Sequence, residues 1–273
     1  MECKIIAHRG ANKKAPQNTL PAFRTAIAEG TDGFETDVHL TKDGRLVICH
    51  NYTVDATSDG RGDITSYTLE ELRLFDFGSY FGADFRGTRL PTLEEFLQVA
   101  ADGDVEVINI ELKSPREKNS PIAKKTLALC KEFGLLDRVL ISSFDPRILK
   151  TVKQLDPRCR TGLLYPINRL RVCRPVFFEP FSIAKSVDAD YIHPMYAFVN
   201  RAVVKAAHAM GLGVNVWTVD DARTVRFMLA CGVDGLITDC PLEVRGYAQE
   251  YAKSRNKEEP GLFELPETRA AHV

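Results

Sequence analysis

Short apolar runs recur along the chain and alternate with longer segments in which apolar residues repeat every three or four positions. Continuous apolar runs of this kind are typical of parallel strands that are buried on both faces. The predicted strands are Lys4–Ala7, Gly33–Val38, Val105–Glu111, Val139–Ser142, Arg160–Leu164, Ala189–His193, Gly213–Trp217 and Gly235–Thr238. Eight strands that alternate with helices predict the α/β class and a (β/α)8 barrel, the TIM barrel.

The segments between the strands carry helix signals. Apolar periodicity predicts helices over Asn18–Glu29, Thr92–Ala101, Arg201–Met210 and Asp221–Cys231. Asp145 and the pair Asp220 and Asp221 lie where helix N-caps are expected. A doubly wound sheet is the main alternative fold, and it usually has a G-x-G-x-x-G turn after its first strand. The first strand is followed by HRGAN instead, which favours the barrel.

A long segment, about residues 51–91, interrupts this rhythm after the second strand region. It contains turn signals (SDGRGD) and an aromatic cluster of Phe75, Phe77, Tyr80, Phe81 and Phe85. It is either a surface excursion with its own small core or a cap over the barrel mouth. We favour the cap because barrel active sites lie on the βα loops. We therefore expect one barrel domain over residues 1–252 with this insertion, and a polar tail, 253–273, that is a mobile end or a homo-oligomer contact.

Composition excludes several classes of protein. The 36 basic and 37 acidic residues leave a net charge of -1, which argues against a general nucleic-acid binder. The 7 cysteines are scattered without a C-x-x-C pair, which argues against a zinc site or a disulfide framework and suits the reducing cytoplasm. No stretch approaches the ~20 apolar residues of a membrane span, so we expect no stable membrane anchor and a cytoplasmic location.

Charged side chains directly follow the first predicted strand and lie within the second. His8 and Arg9 come directly after the first strand, at the catalytic face of a parallel barrel. Histidine titrates near neutral pH, and the arginine fork suits phosphate oxygens. Glu35 and Asp37 are two positions apart on a strand and point to the same face. Two buried carboxylates repel each other unless a cation lies between them, and oxygen ligands suit Mg²⁺, Ca²⁺ or Mn²⁺ rather than zinc.

Two further strand ends add to this set. His50 follows the strand-like run Leu46–Cys49, and Glu111 and Lys113 follow the apolar residues of VINIELK. Glu111 can complete a site of three carboxylates, and Lys113 can neutralise a phosphate. Each of these residues alone could lie at a solvated strand end. Four strand ends that all supply His, Arg, Lys or acids are harder to explain in that way, and they favour a functional site.

The order HRG, ExD, H and ExK resembles the glycerophosphodiester phosphodiesterase family. The resemblance runs from Ile5 to about Pro241 and includes DVHLTKDG, the insertion ending in FRGTRLPTLEEFL, VNVWTVD and GVDGLITDCP. It implies a (β/α)8 barrel that hydrolyses glycerophosphodiesters to an alcohol and glycerol 3-phosphate. It also implies that the segment of residues 51–91 is the insertion that distinguishes this family from other barrel phosphodiesterases.

The resemblance implies a role for each site residue. One divalent cation, Mg²⁺ or Ca²⁺ with Mn²⁺ as an alternative, would be bound by Glu35, Asp37 and Glu111. His8 and His50 would form the acid/base pair. The substrate would be held by Arg9, Lys113 and Trp217, with Trp217 packed on the glycerol or the leaving group. The family mechanism uses the free glycerol hydroxyl as an internal nucleophile and passes through a cyclic phosphate.

One position departs from the family pattern. The family usually has P-E-N-T after HRG, and this chain has Gln17 in place of the glutamate. Activity survives if that residue only orients Arg9, and falls if its charge is required. Gln17 is also the only support for an alternative, a barrel that binds phosphate ligands without catalysis. A second alternative keeps the site but changes the substrate to lysophospholipids, with the aromatic residues of the insertion as an apolar entrance.

Overall fold

Eight parallel strands form a closed barrel in the computed structural model, which describes residues 3–113, 121–165 and 179–255. The strands are β1 (Lys4–His8), β2 (Gly33–Leu40), β3 (Leu46–Ile48), β4 (Val107–Leu112), β5 (Val139–Ser143), β6 (Arg160–Tyr165), β7 (Tyr191–Pro194), β8 (Gly213–Val216) and β9 (Gly235–Thr238). Every neighbouring pair around the ring from β1 through β2, β4 and on to β9 is parallel, and β9 pairs with β1 to close it. The predicted barrel is confirmed.

Among the strands that the structure describes, β3 alone lies outside the ring. It pairs antiparallel with the upper part of β2, so the chain folds back as a hairpin through the turn at Gly44 before it enters the insertion. Its side chains are buried, and His50 follows shortly after it. The predicted strand Leu46–Cys49 therefore exists, and it delivers His50 from a hairpin on the rim.

Helices surround the barrel, and several of them begin at a residue whose side chain caps the first turn. They are α1 (Leu20–Ala28), α2 (Leu69–Leu72), α3 (Leu93–Asp102), α4 (Ile122–Glu132), α5 (Pro146–Leu155), α6 (Glu179–Ser186), α7 (Arg201–Ala209), α8 (Ala222–Cys231) and α9 (Pro241–Arg255). Thr92 and Glu95 form a capping box at α3, and Asp145 and Asp221 accept hydrogen bonds from the first turns of α5 and α8. Asp220 is not an N-cap, because its carboxylate instead accepts from Thr238 and Asp239.

Three aspartates secure the opposite end of the barrel by the same hydrogen bond. Asp32, Asp190 and Asp234 each precede a strand, and each accepts from a backbone N–H of the preceding parallel strand at 2.7 Å. The carboxylate accepts the hydrogen bond that a backbone carbonyl of the next strand would otherwise accept. The strand predicted to begin at Ala189 begins at Tyr191, directly after Asp190.

The barrel strands are buried on both faces, and successive side chains alternate between the two faces. On β2, Phe34 and Val38 belong to the apolar core between strands and helices, where Phe34 packs edge-on against Phe23 and Phe96. The alternate residues Glu35 and Asp37 therefore face the barrel interior. The same alternation on β4 turns Glu111 inward. Register thus brings acids from two strands into one enclosed space.

The insertion has a small core of its own and also reaches the barrel mouth. This small core consists of Val47 and Cys49, from β3 and the residue after its end, with Val54, Ile64, Leu72, Phe77 and Leu90 of the insertion. Tyr80 extends from it toward the site, and its hydroxyl accepts a hydrogen bond from the backbone N–H of Gln17 at 3.2 Å. The small core agrees with the first interpretation of this segment, and the cap over the mouth stays a prediction.

Two expectations, on membrane spans and on the C-terminal tail, concern residues of which the structure describes only part. In the described ranges, no helix combines the length and the apolar character that a bilayer crossing requires. The tail predicted over residues 253–273 begins within α9, which ends at Arg255, and residues 256–273 lie outside the described residues.

Candidate active site

Three buried carboxylates converge at the upper end of the barrel. Parallel pairing of β2 with β4 sets Asp37 opposite Glu111, and Glu35 lies two positions earlier on β2. One oxygen from each of Glu35, Asp37 and Glu111 lies within 4.8 Å of the others, so this cluster could hold a metal ion. Burial, reinforced by the charge of Asp37, raises the pKa of Glu35 well above its ordinary value. A divalent cation bound among these oxygens would offset that cost.

Two basic side chains contact the same carboxylates. The Lys113 Nζ lies 2.7 Å from Asp37 Oδ1 and 2.6 Å from Glu111 Oε1, and the Arg9 Nε lies 3.4 Å from Asp37 Oδ2. Burial alone would raise the pKa of Asp37, but Lys113 and Arg9 outweigh it and hold that pKa below its usual range. Burial raises the pKa of Glu111 to about 7 even though Lys113 opposes the shift. The mouth therefore holds carboxylates and cations in one compact network.

The HRG motif forms a tight left-handed turn after β1. Arg9 has φ 58° and Gly10 φ 80°, and a Cβ on Gly10 would lie 2.6 Å from the carbonyl carbon of Ala22 in α1. Only glycine fits that contact at position 10, and a non-glycine residue such as Arg9 is uncommon in the left-handed region. The Arg9 N–H donates to the Glu35 carboxylate at 3.2 Å, so this turn also anchors a metal-ligand candidate.

Gln17 contacts Arg9 directly. The Arg9 Nη1 donates to Gln17 Oε1 at 2.6 Å. The neutral amide therefore provides the acceptor that orients the guanidinium, and the charge of the family glutamate is not needed for that contact. The next residue, Asn18, donates to Asp37 Oδ2 at 2.8 Å and accepts from Thr36.

The two histidines have different partners. The His8 Nδ1 lies 2.6 Å from Asp239 Oδ1, and its Nε2 lies 3.9 Å from Glu35 Oε2. Burial lowers the pKa of His8 although the hydrogen bond to Asp239 opposes the shift. The His50 Nδ1 is hydrogen-bonded to the amide oxygen of Asn51 at 2.8 Å. Burial lowers the pKa of His50 to about 4, Asp37 opposes the shift, and the charges of Lys113 and Arg9 add to it.

Trp217 follows β8 on another part of the rim. Its Nε1 donates to the carbonyl of His193 at 2.7 Å, and its ring meets Phe144 edge-on with centroids 6.1 Å apart. Phe144, Tyr196 and Phe198 are exposed near it. The mouth is therefore charged on the side of β1, β2 and β4 and aromatic on the side of β5, β7 and β8.

The structure brings most of the predicted site residues into direct contact. His8, Arg9, Glu35, Asp37, Glu111 and Lys113 form one connected network. The charge of Asp37 also acts on His50, where it opposes the lowering of the pKa. Trp217 follows β8, and β9 lies between β8 and the strand that carries His8. Sequence reasoning missed four polar residues that complete the network: Asn12, Asn18, Asn51 and Asp239. Asp239 had the same signal as the residues that were found, a charged side chain directly after an apolar strand.

Known proteins resemble this chain in sequence and in structure. The sequence matches the Glycerophosphoryl diester phosphodiesterase family over residues 8–243. The glycerophosphodiester phosphodiesterase of Caldanaerobacter subterraneus subsp. tengcongensis is 39% identical over 241 residues, which cover 88% of this chain and 96% of that protein.

Solved structures agree with this similarity. A glycerophosphodiester phosphodiesterase from Parabacteroides distasonis has a TM-score of 0.76 at 29% identity, covering 92% of this chain and 98% of that one. An Oleispira antarctica phosphodiesterase in complex with the product sn-glycerol-3-phosphate has a TM-score of 0.77 at 26% identity, covering 90% and 96%.

The fold and the site define a barrel hydrolase that acts on phosphoric diesters. Acids that could hold a cation lie beside histidines and the basic side chains of Arg9 and Lys113, at the end of the barrel where catalytic residues of such folds lie. The chain belongs to the glycerophosphodiester phosphodiesterase family. The alternative of a barrel that only binds its ligand loses its single support, because Gln17 retains the contact with Arg9.

Proposed function

We propose that this protein hydrolyses glycerophosphodiesters to an alcohol and glycerol 3-phosphate in a reaction that depends on a divalent cation. The observation that carries the proposal is the buried cluster of Glu35, Asp37 and Glu111 with Arg9 and Lys113 bound to it. The sn-glycerol-3-phosphate held by the Oleispira antarctica phosphodiesterase supports the choice of product.

The three carboxylates would bind Mg²⁺ or Ca²⁺, with Mn²⁺ as an alternative, because carboxylate oxygens in a buried space are hard ligands that suit these cations. When bound, the cation supplies charge that offsets the anionic phosphate and polarises the phosphoryl group. Besides the cation, the basic side chains of Arg9 and Lys113 bind the phosphate oxygens. Trp217 packs against the glycerol or the leaving group at the aromatic part of the rim.

His8 and His50 divide the proton transfers. One histidine takes the proton of the free glycerol hydroxyl as that oxygen attacks phosphorus and the bond to the leaving oxygen breaks. The other histidine protonates the departing alkoxide, so an alcohol and a cyclic phosphate are formed. Water then opens the ring with the two roles reversed. The internal attack gains from proximity, and each proton transfer is worth about 10²–10⁴-fold.

The proposal is tested by measuring glycerol 3-phosphate released from glycerophosphocholine. We expect His8→Ala and His50→Ala each to lose at least about 10²-fold in kcat while the fold is retained. His208→Ala is the matched control, because His208 is an exposed histidine paired with Asp234 at the other end of the barrel. Near-normal turnover by both site variants, or full activity after thorough metal removal with EDTA, would refute the mechanism.

A second candidate substrate is a lysophospholipid, which keeps the same reacting groups and adds an acyl chain. The exposed aromatic residues Phe144, Tyr196 and Phe198 beside Trp217 favour it, because an acyl chain leaving the charged part of the mouth would meet them. Turnover of glycerophosphocholine and of lysophosphatidylcholine by the same preparation separates the two. Phe144→Ser should lower turnover of the acylated substrate selectively if the chain binds there.

We also propose that the protein acts in the cytoplasm as one barrel domain over about residues 1–252. Within the described ranges, Cys49, Cys130, Cys159, Cys231 and Cys240 carry free thiols, which suits a reducing compartment. The insertion of residues 51–91 would belong to the same domain, because its Tyr80 contacts Gln17 beside the site.

A further inference from the structure

The partner of His8 is a carboxylate, while the partner of His50 is a neutral amide. The 2.6 Å contact between His8 Nδ1 and Asp239 Oδ1 is short, as charge-assisted hydrogen bonds are. The hydrogen bond to His8 lowers the pKa of Asp239 to about 2, although burial acts in the opposite direction. Asp239 is therefore a carboxylate at neutral pH, and it can only accept from the ring.

Asp239 is itself held from two directions. Its backbone N–H donates to Asp220 Oδ1 at 2.9 Å, and the same oxygen accepts from the Thr238 hydroxyl at 2.9 Å. On its other side, Asn12 Nδ2 donates to Asp239 Oδ1 at 2.6 Å and to the His8 carbonyl at 2.8 Å. The amide thus ties the carboxylate to the backbone of the histidine that the carboxylate contacts.

We propose that Asp239 is a positioning residue for His8, and that Asn12 links the two residues through its hydrogen bonds to both. By accepting from Nδ1–H, Asp239 selects the tautomer in which Nε2 has the free electron pair. It also directs Nε2 toward Glu35, at the centre of the site. When Nε2 takes up a proton during the reaction, the carboxylate stabilises the cationic ring without itself taking the proton. The catalytic part of this inference rests on the function proposed above.

Asp239 has a matched control on the same strand. Asp234 lies at the other end of β9, where it accepts from the Val214 N–H and pairs with His208. Asp234→Asn and Asp239→Asn are the same chemical change before and after Gly235–Thr238. Both substitutions should lower the stability of the protein to some extent, but only Asp239→Asn removes the negative charge that contacts His8 Nδ1. Melting temperatures of both variants show how much of any effect is structural.

The kinetic test compares Asp239→Asn, Asp239→Ala and Asp234→Asn on glycerophosphocholine. We expect Asp239→Ala to lower kcat by about 10²-fold or more with KM within about 3-fold, because Asp239 does not contact the substrate. Asp234→Asn should keep the wild-type kcat. The double variant His8→Ala/Asp239→Ala should match His8→Ala alone, because a residue that acts through His8 adds nothing once His8 is gone. A wild-type kcat in Asp239→Ala, or additive losses in the double variant, would overturn the proposal.

A second readout needs no turnover. In protein labelled with ¹⁵N-histidine, the Nδ1–H proton of His8 should give a downfield resonance typical of a strong hydrogen bond to a carboxylate. We expect the resonance in the wild type and in Asp234→Asn, and its loss in His8→Ala and Asp239→Ala. A resonance that survives in Asp239→Ala would refute the contact. Absence of glycerophosphodiester hydrolysis by the wild type would refute the proposed function instead, and the spectrum would still decide the contact.

Discussion

Lys113 neutralises two of the three carboxylates in the site, so its removal should have a large and specific effect on stability. The Nζ contacts Asp37 at 2.7 Å and Glu111 at 2.6 Å, and the side chain is only 8% exposed. Burial opposes its charge, but the two carboxylates raise the pKa of Lys113 above its ordinary value. Lys113→Met keeps much of the length and apolar surface of the side chain and removes the charge.

The magnitude follows from the environment that remains. Removing one partner of a buried ion pair typically costs about 3–5 kcal/mol, because the other charge is left without compensation. Arg9 still lies 3.4 Å from Asp37, but Glu111 loses its close cation. At about 2–4 °C per kcal/mol for a domain of this size, the melting temperature should fall by roughly 6–20 °C.

The assay is thermal and urea unfolding of Lys113→Met beside a surface control, Lys4→Met. Lys4 pairs with Glu106 at 2.7 Å, but Glu106 is 61% exposed, and exposed pairs contribute at most about 1 kcal/mol. Saturating Mg²⁺ or Ca²⁺ should raise the melting temperature of Lys113→Met more than that of the wild type, because the cation replaces the missing charge. A loss no larger than that of Lys4→Met would refute the reasoning.

Three further predictions concern other parts of the molecule. Burial lowers the pKa of His193 to about 3. Between about pH 6.5 and pH 3 the folded state therefore binds fewer protons than the unfolded state. Within that window the free energy of unfolding should decrease by about 1.4 kcal/mol for each unit by which the pH is lowered. His193→Gln should remove this contribution in urea titrations at pH 7 and 4.5; an unchanged difference would contradict it. Gln17→Glu should keep kcat/KM within about 3-fold, while Gln17→Ala, which removes the acceptor for Arg9, should lower it by about 10-fold. Phe96→Ala should cost about 3–5 kcal/mol by chemical denaturation, because its buried ring packs on two others.

Much of the barrel could be predicted because its signals are local. The strands of a buried parallel sheet are continuous apolar runs, and all eight predicted runs are strands of the ring, with ends shifted by at most a few residues. Charged residues on or directly after strand-like runs predicted seven of the candidate site positions. Six of them lie on or directly after parallel strands of the ring, whose carboxyl ends share one face of the barrel. Trp217 was added through the family resemblance.

Other features depend on contacts between distant segments. Asp239 contacts His8 across 231 positions of sequence, and only closure of the barrel between β9 and β1 brings them together. Asp220 looked like a helix cap, but it secures the end of β9, because cap and strand-end positions are adjacent in a βα loop. The insertion also needed the structure, since its small core and its contact with Gln17 join residues far apart in the chain.

The amino-acid sequence by itself determined the barrel, the family and the identity of the acids, cations and histidines at the mouth. These depend on periodicity and on strand ends, which are properties of short segments. Only the tertiary structure decided which groups are partners: Lys113 with two carboxylates, Gln17 with Arg9, and Asp239 with His8. The physical reason is that hydrogen bonds and ion pairs act over a few ångströms, so they depend on the distances that folding sets between segments remote in sequence.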